Sequence, residues 1–213
     1  MEVNIAVLAH DAAAPTVETF WHQWEKLPFA WLRVYLPEGS GDRIAGYRTG
    51  KDAHRGKDCV QRFIASVEHA LAFSSGDYLC VMEYDTLNLT DKWPKLNPYA
   101  VNCGLFHLIN PDRTSTGNHC ALSPWIATRP QWRAAIEAIK LCLSEPFPEW
   151  TEGGLLDRVI GHALVTHSVQ AQNLTELLAY PWIEDAHKKI VTHNISWVHG
   201  WKTKEDFGPL FPL

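Results

Sequence analysis

The pattern of hydrophobic and polar positions over the first part of this chain predicts a strand, a helix and a second strand, in that order. A short apolar run over residues 4–9 predicts a buried strand. Pro15 then opens a segment whose apolar residues recur at helical spacing until Pro28. Residues 31–36 form a second strand-like run. Two strands joined by a helix at this spacing predict a parallel pair with a right-handed crossover.

The alternation continues beyond this unit. Residues 39–57 are polar, glycine-containing and basic, which predicts a long loop with at most one short strand. Helical spacing of apolar residues predicts a helix over residues 58–73, and residues 78–82 form an almost wholly apolar strand. This order predicts an α/β fold with a Rossmann-like, mostly parallel central sheet flanked by helices and a mixed C-terminal half. The later predicted elements are strands over 104–109, 118–127 and 195–198 and helices over 129–143 and 155–165.

Composition limits the classes of function. The 213 residues, 46% hydrophobic and 20% charged, fit one globular domain. The net charge of -5 argues against nucleic-acid binding, but it allows a small anionic substrate held through a metal. The five cysteines are scattered, and no apolar run is long enough for a signal peptide or a transmembrane segment, so we expect a cytoplasmic protein with reduced thiols. Some of the ten tryptophans must be core residues, and others could stack on sugars or bases.

Two carboxylates, Glu83 and Asp85, end the apolar strand over residues 78–82. Residues i and i+2 of a strand share a face, and the carboxyl end of a buried parallel strand opens into the crevice where α/β proteins bind ligands. Hard oxygen donors suit Mg²⁺ or Mn²⁺, which often hold the phosphates of a nucleotide. Carboxylates at this spacing are common, and a solvated strand end or a turn cap is the alternative. The buried strand before them favours a metal site.

His199 is the candidate for a further metal ligand near the C-terminus, and Lys202 could meet a diphosphate as a point charge. His193 competes with His199, because an even offset places both on the same face of one strand. A surface histidine in a frayed tail is the alternative explanation.

Glu152 is a candidate general base, because it precedes a short predicted helix after a proline-rich loop. Asp157 lies about one turn into that helix and is the second candidate for the same role. Acidic residues also favour helix N-termini through the helix macrodipole, so a structural role stays open for both.

Candidate donor-binding residues follow the first strand and the basic loop. His10 and Asp11 end the first strand, where α/β folds contact a nucleobase or ribose, although Asp11 could instead cap the next helix. Arg55, Lys57 and Arg62 could reach a diphosphate near the crevice. A solvated basic loop is the preferred explanation for at least half of the basic residues in this region.

The order of these features resembles the GT-A class of nucleotide-sugar glycosyltransferases. The β-α-β half over residues 4–36 matches, and Glu83-Tyr84-Asp85 looks like the DxD metal motif of the class with Glu in the first place. His199-Gly200-Trp201-Lys202 is similar to the C-terminal histidine and lysine that several such families use on metal and diphosphate. Glu152 looks like the acidic residue that serves as acceptor-side base in inverting members. The resemblance implies one GT-A-like domain over 1–213, with 1–86 binding the nucleotide and 87–213 serving the acceptor.

The resemblance also implies a metal-dependent transfer of a sugar from a nucleotide-diphospho-sugar, such as a UDP- or GDP-sugar, to an acceptor hydroxyl. Mn²⁺ or Mg²⁺ would be held by Asp85, with Glu83 acting directly or through water. Glu152-Gly153 lacks the paired acids of the commoner pattern, so a non-catalytic relative that binds nucleotide or carbohydrate stays open. A sugar nucleotidyltransferase is the third hypothesis, but its first βα loop should be rich in Gly and Arg, and residues 10–14 are not.

Overall fold

The computed structural model describes residues 1–9, 21, 23–36, 44–46, 56–90, 92–109, 115–145, 156–174, 177–179 and 197–199. The helices in this part are α1 (Gly56–Phe73), α2 (Arg129–Ser144) and α3 (Leu156–Thr166). The strands are β1 (Val3–Leu8), β2 (Trp31–Leu36), β3 (Ile44–Gly46), β4 (Tyr78–Glu83), β5 (Thr86–Asn88), β6 (Val101–Ile109), β7 (Ser115–Thr128), β8 (Ala171–Asn173), β9 (Leu177–Ala179) and β10 (Trp197–His199).

Seven strands form the central sheet in the order β3-β2-β1-β4-β7-β6-β8. Strand β1 pairs in parallel with both β2 and β4, and among the described strands of this sheet only β7 runs against its neighbours, β4 and β6. The mostly parallel sheet predicted from the sequence is therefore confirmed. A second sheet of three strands has the order β5-β10-β9.

The central sheet is buried on both faces. In β4, Leu79 and Val81 belong to a core shared with α1, α2 and α3. The alternate residues Cys80 and Met82 belong to a second core, which they share with Trp197 of β10. Because both faces are covered, β4 is apolar at every position up to its last residue, as buried parallel strands are.

Large aromatic side chains fill both cores. Trp125 and Trp132 lie on the helix side of the sheet, and Trp24 and Trp197 lie on the other, all of them fully buried. Three of the four indole N–H groups donate to backbone carbonyls: Trp24 to Thr86, Trp125 to Ala121 and Trp132 to Leu79. The expectation that some of the tryptophans are core residues is confirmed for these four.

Helix α3 approaches strand β7 very closely at Gly161. A Cβ atom built on Gly161 would lie 2.5 Å from the carbonyl oxygen of His119 and 2.7 Å from the Cα of Cys120. Since real Cβ atoms do not come that close to backbone, only glycine allows this packing. The contact fixes the height of α3 above the sheet.

Most predicted elements are present with shifted ends. Strand β4 continues to Glu83, one residue past the prediction, and β6 begins at Val101 rather than at residue 104. Helix α1 begins at Gly56, two residues early. The stretch after Asp85, predicted to be irregular, contains β5, and neither β8 nor β9 was predicted. These three strands have three residues each, too few to carry a recognisable period. No helix in the described ranges has both the length and the apolarity needed to cross a bilayer.

Candidate functional site

The candidate site lies at the carboxyl ends of β1 and β4. These neighbouring parallel strands end side by side, with Leu8 in register with Glu83. The chain extends the sheet from β1 to β2 and β3 on one side, and β4 joins β1 on the other. The order of strands therefore reverses between β1 and β4, and ligands of open α/β sheets bind outside such a point.

Ser123 holds the backbone at the end of β4. The regular pairing of β4 with β7 ends at Val81 and Trp125. Beyond it, the Glu83 backbone N–H donates to Ser123 Oγ at 2.9 Å, and this hydroxyl lies 2.8 Å from Thr86 Oγ1. Ser123 is fully buried. The side chain therefore takes the place of a ladder partner and connects the two ends of the turn that carries the carboxylates.

Asp85 is buried in the turn between β4 and β5, with 6% of its surface exposed. Glu83 is half-buried and is the last residue of β4. Because β4 ends there, the strand period that predicted a shared face for the two carboxylates does not extend to Asp85. Tyr84 lies between them, and burial raises the pKa of its phenol to about 12, with the charges of Asp85 and Glu83 adding to the effect.

The C-terminal strand β10 returns to this turn. It pairs antiparallel with β5, and His199 is in register with Thr86, the residue after Asp85. The structure thus brings the backbone of His199 beside the turn that holds Asp85. The sequence separates these two residues by more than a hundred positions, so no local pattern predicts their pairing.

Glu83, Asp157 and Arg62 all act electrostatically on one half-buried thiol, that of Cys59. Cys59, in the first turns of α1, has its pKa raised to about 11, mainly by burial. The negative charges of Glu83 and Asp157 raise this pKa further, and the positive charge of Arg62 lowers it. Three of the residues predicted from the sequence therefore act electrostatically on one sulfur atom.

Asp157 is held at the start of α3 by a second thiol. Its Oδ2 accepts a hydrogen bond from Cys120 Sγ at 2.7 Å, and its Oδ1 accepts the backbone N–H of Arg158 at 2.9 Å. Burial, followed by the charge and the hydrogen bond of Asp157, raises the pKa of Cys120, so the thiol stays neutral and donates. No pattern in the sequence indicated Cys120 or Ser123, because only the register of β7 brings them here.

The remaining predicted residues divide into two groups. Lys57, in the first turn of α1, donates from Nζ to the carbonyl oxygen of Leu143 near the end of α2, at 2.9 Å. This bond gives Lys57 a place in the packing of α1 on α2. The other predicted residues lie outside the described residues: His10, Asp11, Arg55, Glu152, His193 and Lys202.

The donor chemistry at the end of β4 suits a hard divalent cation. A buried carboxylate, Asp85, and a half-buried one, Glu83, offer oxygen ligands of the kind that Mg²⁺ and Mn²⁺ prefer.

Neither protein-family models nor curated protein sequences match this chain. Solved structures are similar to it. The galactosyltransferase LgtC, determined in complex with donor and acceptor sugar analogs, has a TM-score of 0.51 and 12% identity, and the match covers 92% of this chain and 86% of LgtC. The glycosyltransferase GlyE of Streptococcus pneumoniae TIGR4, in its apo form, has a TM-score of 0.51 and 14% identity over 93% of this chain. The chain spans about half of GlyE, 54% of its length. The GT-A-like fold predicted from the sequence is confirmed: this chain has the fold of these glycosyltransferases.

Proposed function

We propose that the protein is a metal-dependent glycosyltransferase that moves a sugar from a nucleotide-diphospho-sugar to an acceptor hydroxyl. The observation that carries the proposal is the position of Asp85: a buried carboxylate directly after β4, beside the point where the strand order reverses. The fold shared with LgtC and GlyE supports the same proposal. The crystal structure of LgtC contains analogs of a donor and an acceptor sugar.

Asp85, Glu83 and His199 are the residues that would hold Mn²⁺ or Mg²⁺. When bound, such an ion acts as a Lewis acid that stabilises negative charge on a departing diphosphate. Ser123 accepts the backbone N–H of Glu83 on one side of Asp85 and shares a hydrogen bond with the Thr86 hydroxyl on the other. The turn is therefore rigid before the donor arrives, which lowers the entropy lost on binding.

Basic residues around the same edge would bind the diphosphate of the donor. Arg62 lowers the pKa of the Cys59 thiol, which the charges of Glu83 and Asp157 raise, and this common electrostatic effect supports its inclusion in the set. Arg55 and Lys202 complete the proposed set, and Lys57 would join it by giving up its bond to the Leu143 carbonyl oxygen. His10 and Asp11 follow β1, the neighbour of β4, which suits contacts to the nucleobase or ribose of a UDP- or GDP-sugar.

Glu152 is the proposed general base that removes the proton of the acceptor hydroxyl if the reaction inverts the sugar. Asp157 is the alternative base. Its two oxygens already accept hydrogen bonds from Cys120 and from the Arg158 backbone, but a carboxylate has about four lone-pair sites and can accept more. In either case the close packing of Gly161 on β7 sets the position of α3.

A binding experiment tests the donor and the metal together. Thermal midpoints are measured with UDP-, GDP-, CDP- and TDP-sugars, with and without Mn²⁺, for the wild type and for Asp85→Asn. We expect one class of nucleotide-sugar to raise the wild-type midpoint only with Mn²⁺, and the variant to lose this effect. Asp77→Asn is the matched control, because Asp77 precedes the same strand at its other end and is bonded to the backbone N–H of Glu2.

The outcomes separate the competing functions. If no nucleotide-sugar stabilises the wild type in a metal-dependent way, the transferase proposal fails. Stabilisation without release of nucleoside diphosphate in the presence of a panel of sugar acceptors supports a non-catalytic binding protein. Release of pyrophosphate from a nucleoside triphosphate and a sugar 1-phosphate supports a nucleotidyltransferase instead.

A further inference from the structure

A second cluster of metal-ligating side chains lies away from β4, where the C-terminal ends of α2 and α3 meet. Cys142 is in the last turn of α2, Glu145 is the residue that caps it, and His167 follows α3. One ligand atom from each of these three residues lies within 4.8 Å of the other two. Thiol, carboxylate and imidazole are all ligands of zinc in proteins.

The backbone holds two of the ligands in place. The Glu145 backbone N–H donates to the carbonyl oxygen of Cys142 at 3.2 Å, which closes the end of α2 and fixes the spacing of these two residues. Because Cys142 is almost completely buried, its thiol has little freedom to leave the cluster.

The third ligand sits in a well-defined helix end. Ser168 has a positive φ of 55° and donates to the carbonyl of Val165, and Val169 donates to the carbonyl of Leu164. These two bonds and the left-handed residue are the features of a Schellman motif. His167 precedes the left-handed residue, so its backbone is fixed by the motif.

The spacing of the side chains fits one shared cation better than a direct bond. His167 Nε2 lies 3.6 Å from Glu145 Oε1, which is longer than a hydrogen bond. Two ligands at about 2.1 Å from a tetrahedral ion lie ~3.4 Å apart. His167 Nε2 is a buried atom that has no hydrogen-bond partner within the described ranges. An ion between the three side chains would satisfy it.

The helix ends at the cluster also favour positive charge. The C-terminus of α3 carries a partial negative charge, and that of α2 carries another, part of which the Lys57 ammonium already offsets at the Leu143 carbonyl. Glu145 adds a full negative charge. The thiol and imidazole make the set softer than the carboxylates after β4, so it prefers Zn²⁺ to Mg²⁺ or Mn²⁺.

We propose that Cys142, Glu145 and His167 bind a Zn²⁺-class transition-metal ion through Sγ, a carboxylate oxygen and Nε2, with water as the fourth ligand. Binding converts the thiol into a metal thiolate and releases its proton to solvent, so the protein takes up one cation and loses one proton. The ion would join the ends of α2 and α3. The site differs in ligands and place from the proposed donor site, and it does not depend on glycosyl transfer.

Cobalt is the probe that reports the thiolate directly. Chelator-treated, reduced protein is titrated with Co²⁺ and then with Zn²⁺, without any nucleotide-sugar. We expect one equivalent of Co²⁺ to produce near-ultraviolet thiolate-to-cobalt charge-transfer absorption, which Zn²⁺ abolishes by displacement. Zn²⁺ should also raise the thermal midpoint, whereas Mg²⁺ should not.

Variants assign the ligands. Cys142→Ser should lose the charge-transfer band, and His167→Ala should weaken Zn²⁺ binding by at least about tenfold. His162→Ala is the matched control, because it removes an imidazole from the same helix outside the cluster and should bind Zn²⁺ as the wild type does. Asp85→Asn should also keep the band, so failure of the proposed function would leave this result unaffected.

Three results would overturn the proposal: no charge-transfer band in the wild type, the same band in Cys142→Ser, or equal Zn²⁺ affinity in His167→Ala. Circular dichroism of each metal-free variant checks folding. If Cys142→Ser does not fold, His167→Gln decides the matter, because Gln keeps a polar side chain of similar size at a position that is partly exposed, 19%, to solvent. Unchanged Zn²⁺ affinity in that variant would then count against the site.

Discussion

At the scale of single residues, the buried hydroxyl of Ser123 is the link between the two sides of the Asp85 turn. It accepts the backbone N–H of Glu83 and shares a hydrogen bond with Thr86 Oγ1. We expect Ser123→Ala to lower the free energy of unfolding by about 1–3 kcal/mol, because it leaves a buried N–H and a buried hydroxyl without this partner. It should also weaken metal-dependent nucleotide-sugar binding, since the turn is less fixed. Urea unfolding and thermal shifts measure the two effects.

Thr86→Val provides the control for this prediction. It removes the second hydroxyl with little change of volume, and Thr86 is fully buried. In a double-mutant cycle, the loss in the double variant should be smaller than the sum of the single losses, because one bond is shared. Simple additivity would show that Ser123 acts through Glu83 alone, and an unchanged stability of Ser123→Ala would refute its positioning role.

The same scale shows what the sequence can and cannot reveal. Glu83 and Asp85 were found because an apolar strand leads up to them, a signal that lies within ten residues. Ser123 and Cys120 had no comparable signal. The role of each is visible only once the pairing of β7 with its neighbours is known. In the sequence, a serine or cysteine inside an apolar strand looks like an ordinary core residue.

At the scale of elements, the contact of α3 with β7 depends on one glycine. Alanine normally stabilises a helix interior by about 1 kcal/mol relative to glycine. Gly161→Ala should instead destabilise the protein, because the new Cβ would lie 2.5 Å from the His119 carbonyl oxygen. The helix must move away from the strand, and we expect a loss of about 1–3 kcal/mol, as for other overpacked cores. Urea unfolding measures it.

The displacement should also separate Asp157 from Cys120, since Asp157 lies in the first turn of α3. Cys120 would then react faster with a thiol reagent in the folded protein. Val165→Ala is the control on the same helix, because Val165 is 44% exposed and its truncation should be nearly neutral. A stabilised Gly161→Ala would show that α3 does not pack as closely as described.

Long elements with a clear hydrophobic period were predicted more accurately than short ones. Helices α1, α2 and α3 carry an apolar stripe over three or more turns, and each was predicted within about two residues of its ends. Strands β5, β8 and β9 have three residues each and exist because a neighbour pairs with them. Their formation depends on tertiary contacts, which sequence periods do not record.

At the scale of the whole molecule, the fold was predictable because the order of strands and helices limits the topologies that a chain can adopt. The return of β10 to β5 was not predictable in the same way. That pairing joins the last described strand to a turn in the first half of the chain, and it brings His199 beside Thr86. The resemblance to GT-A proteins, rather than any period, indicated that a late histidine belongs near the carboxylates.

Burial across both cores gives the molecule a common response to alkaline pH. Burial raises the pKa of Tyr35 from 10.0 to about 12, that of Cys59 from 9.0 to about 11 and that of Cys103 from 9.0 to about 12. The fully buried thiol of Cys80 has its pKa raised as well. In every case the folded protein keeps a proton that the unfolded chain loses at lower pH.

Stability should therefore fall as the pH rises above about 9, because the unfolded chain then binds fewer protons than the folded protein. The contribution of these groups is fully present below that pH and is lost progressively as the pH rises through their folded pKa values of about 11 to 12. Urea midpoints measured under reducing conditions between pH about 8 and about 11 test this slope. Cys59→Ala removes one titrating group. The free energy of unfolding should then fall less steeply with pH, by up to the slope that one bound proton contributes. A midpoint that stays constant over this range would mean that the thiols and Tyr35 are far more solvated than their places in the two cores imply.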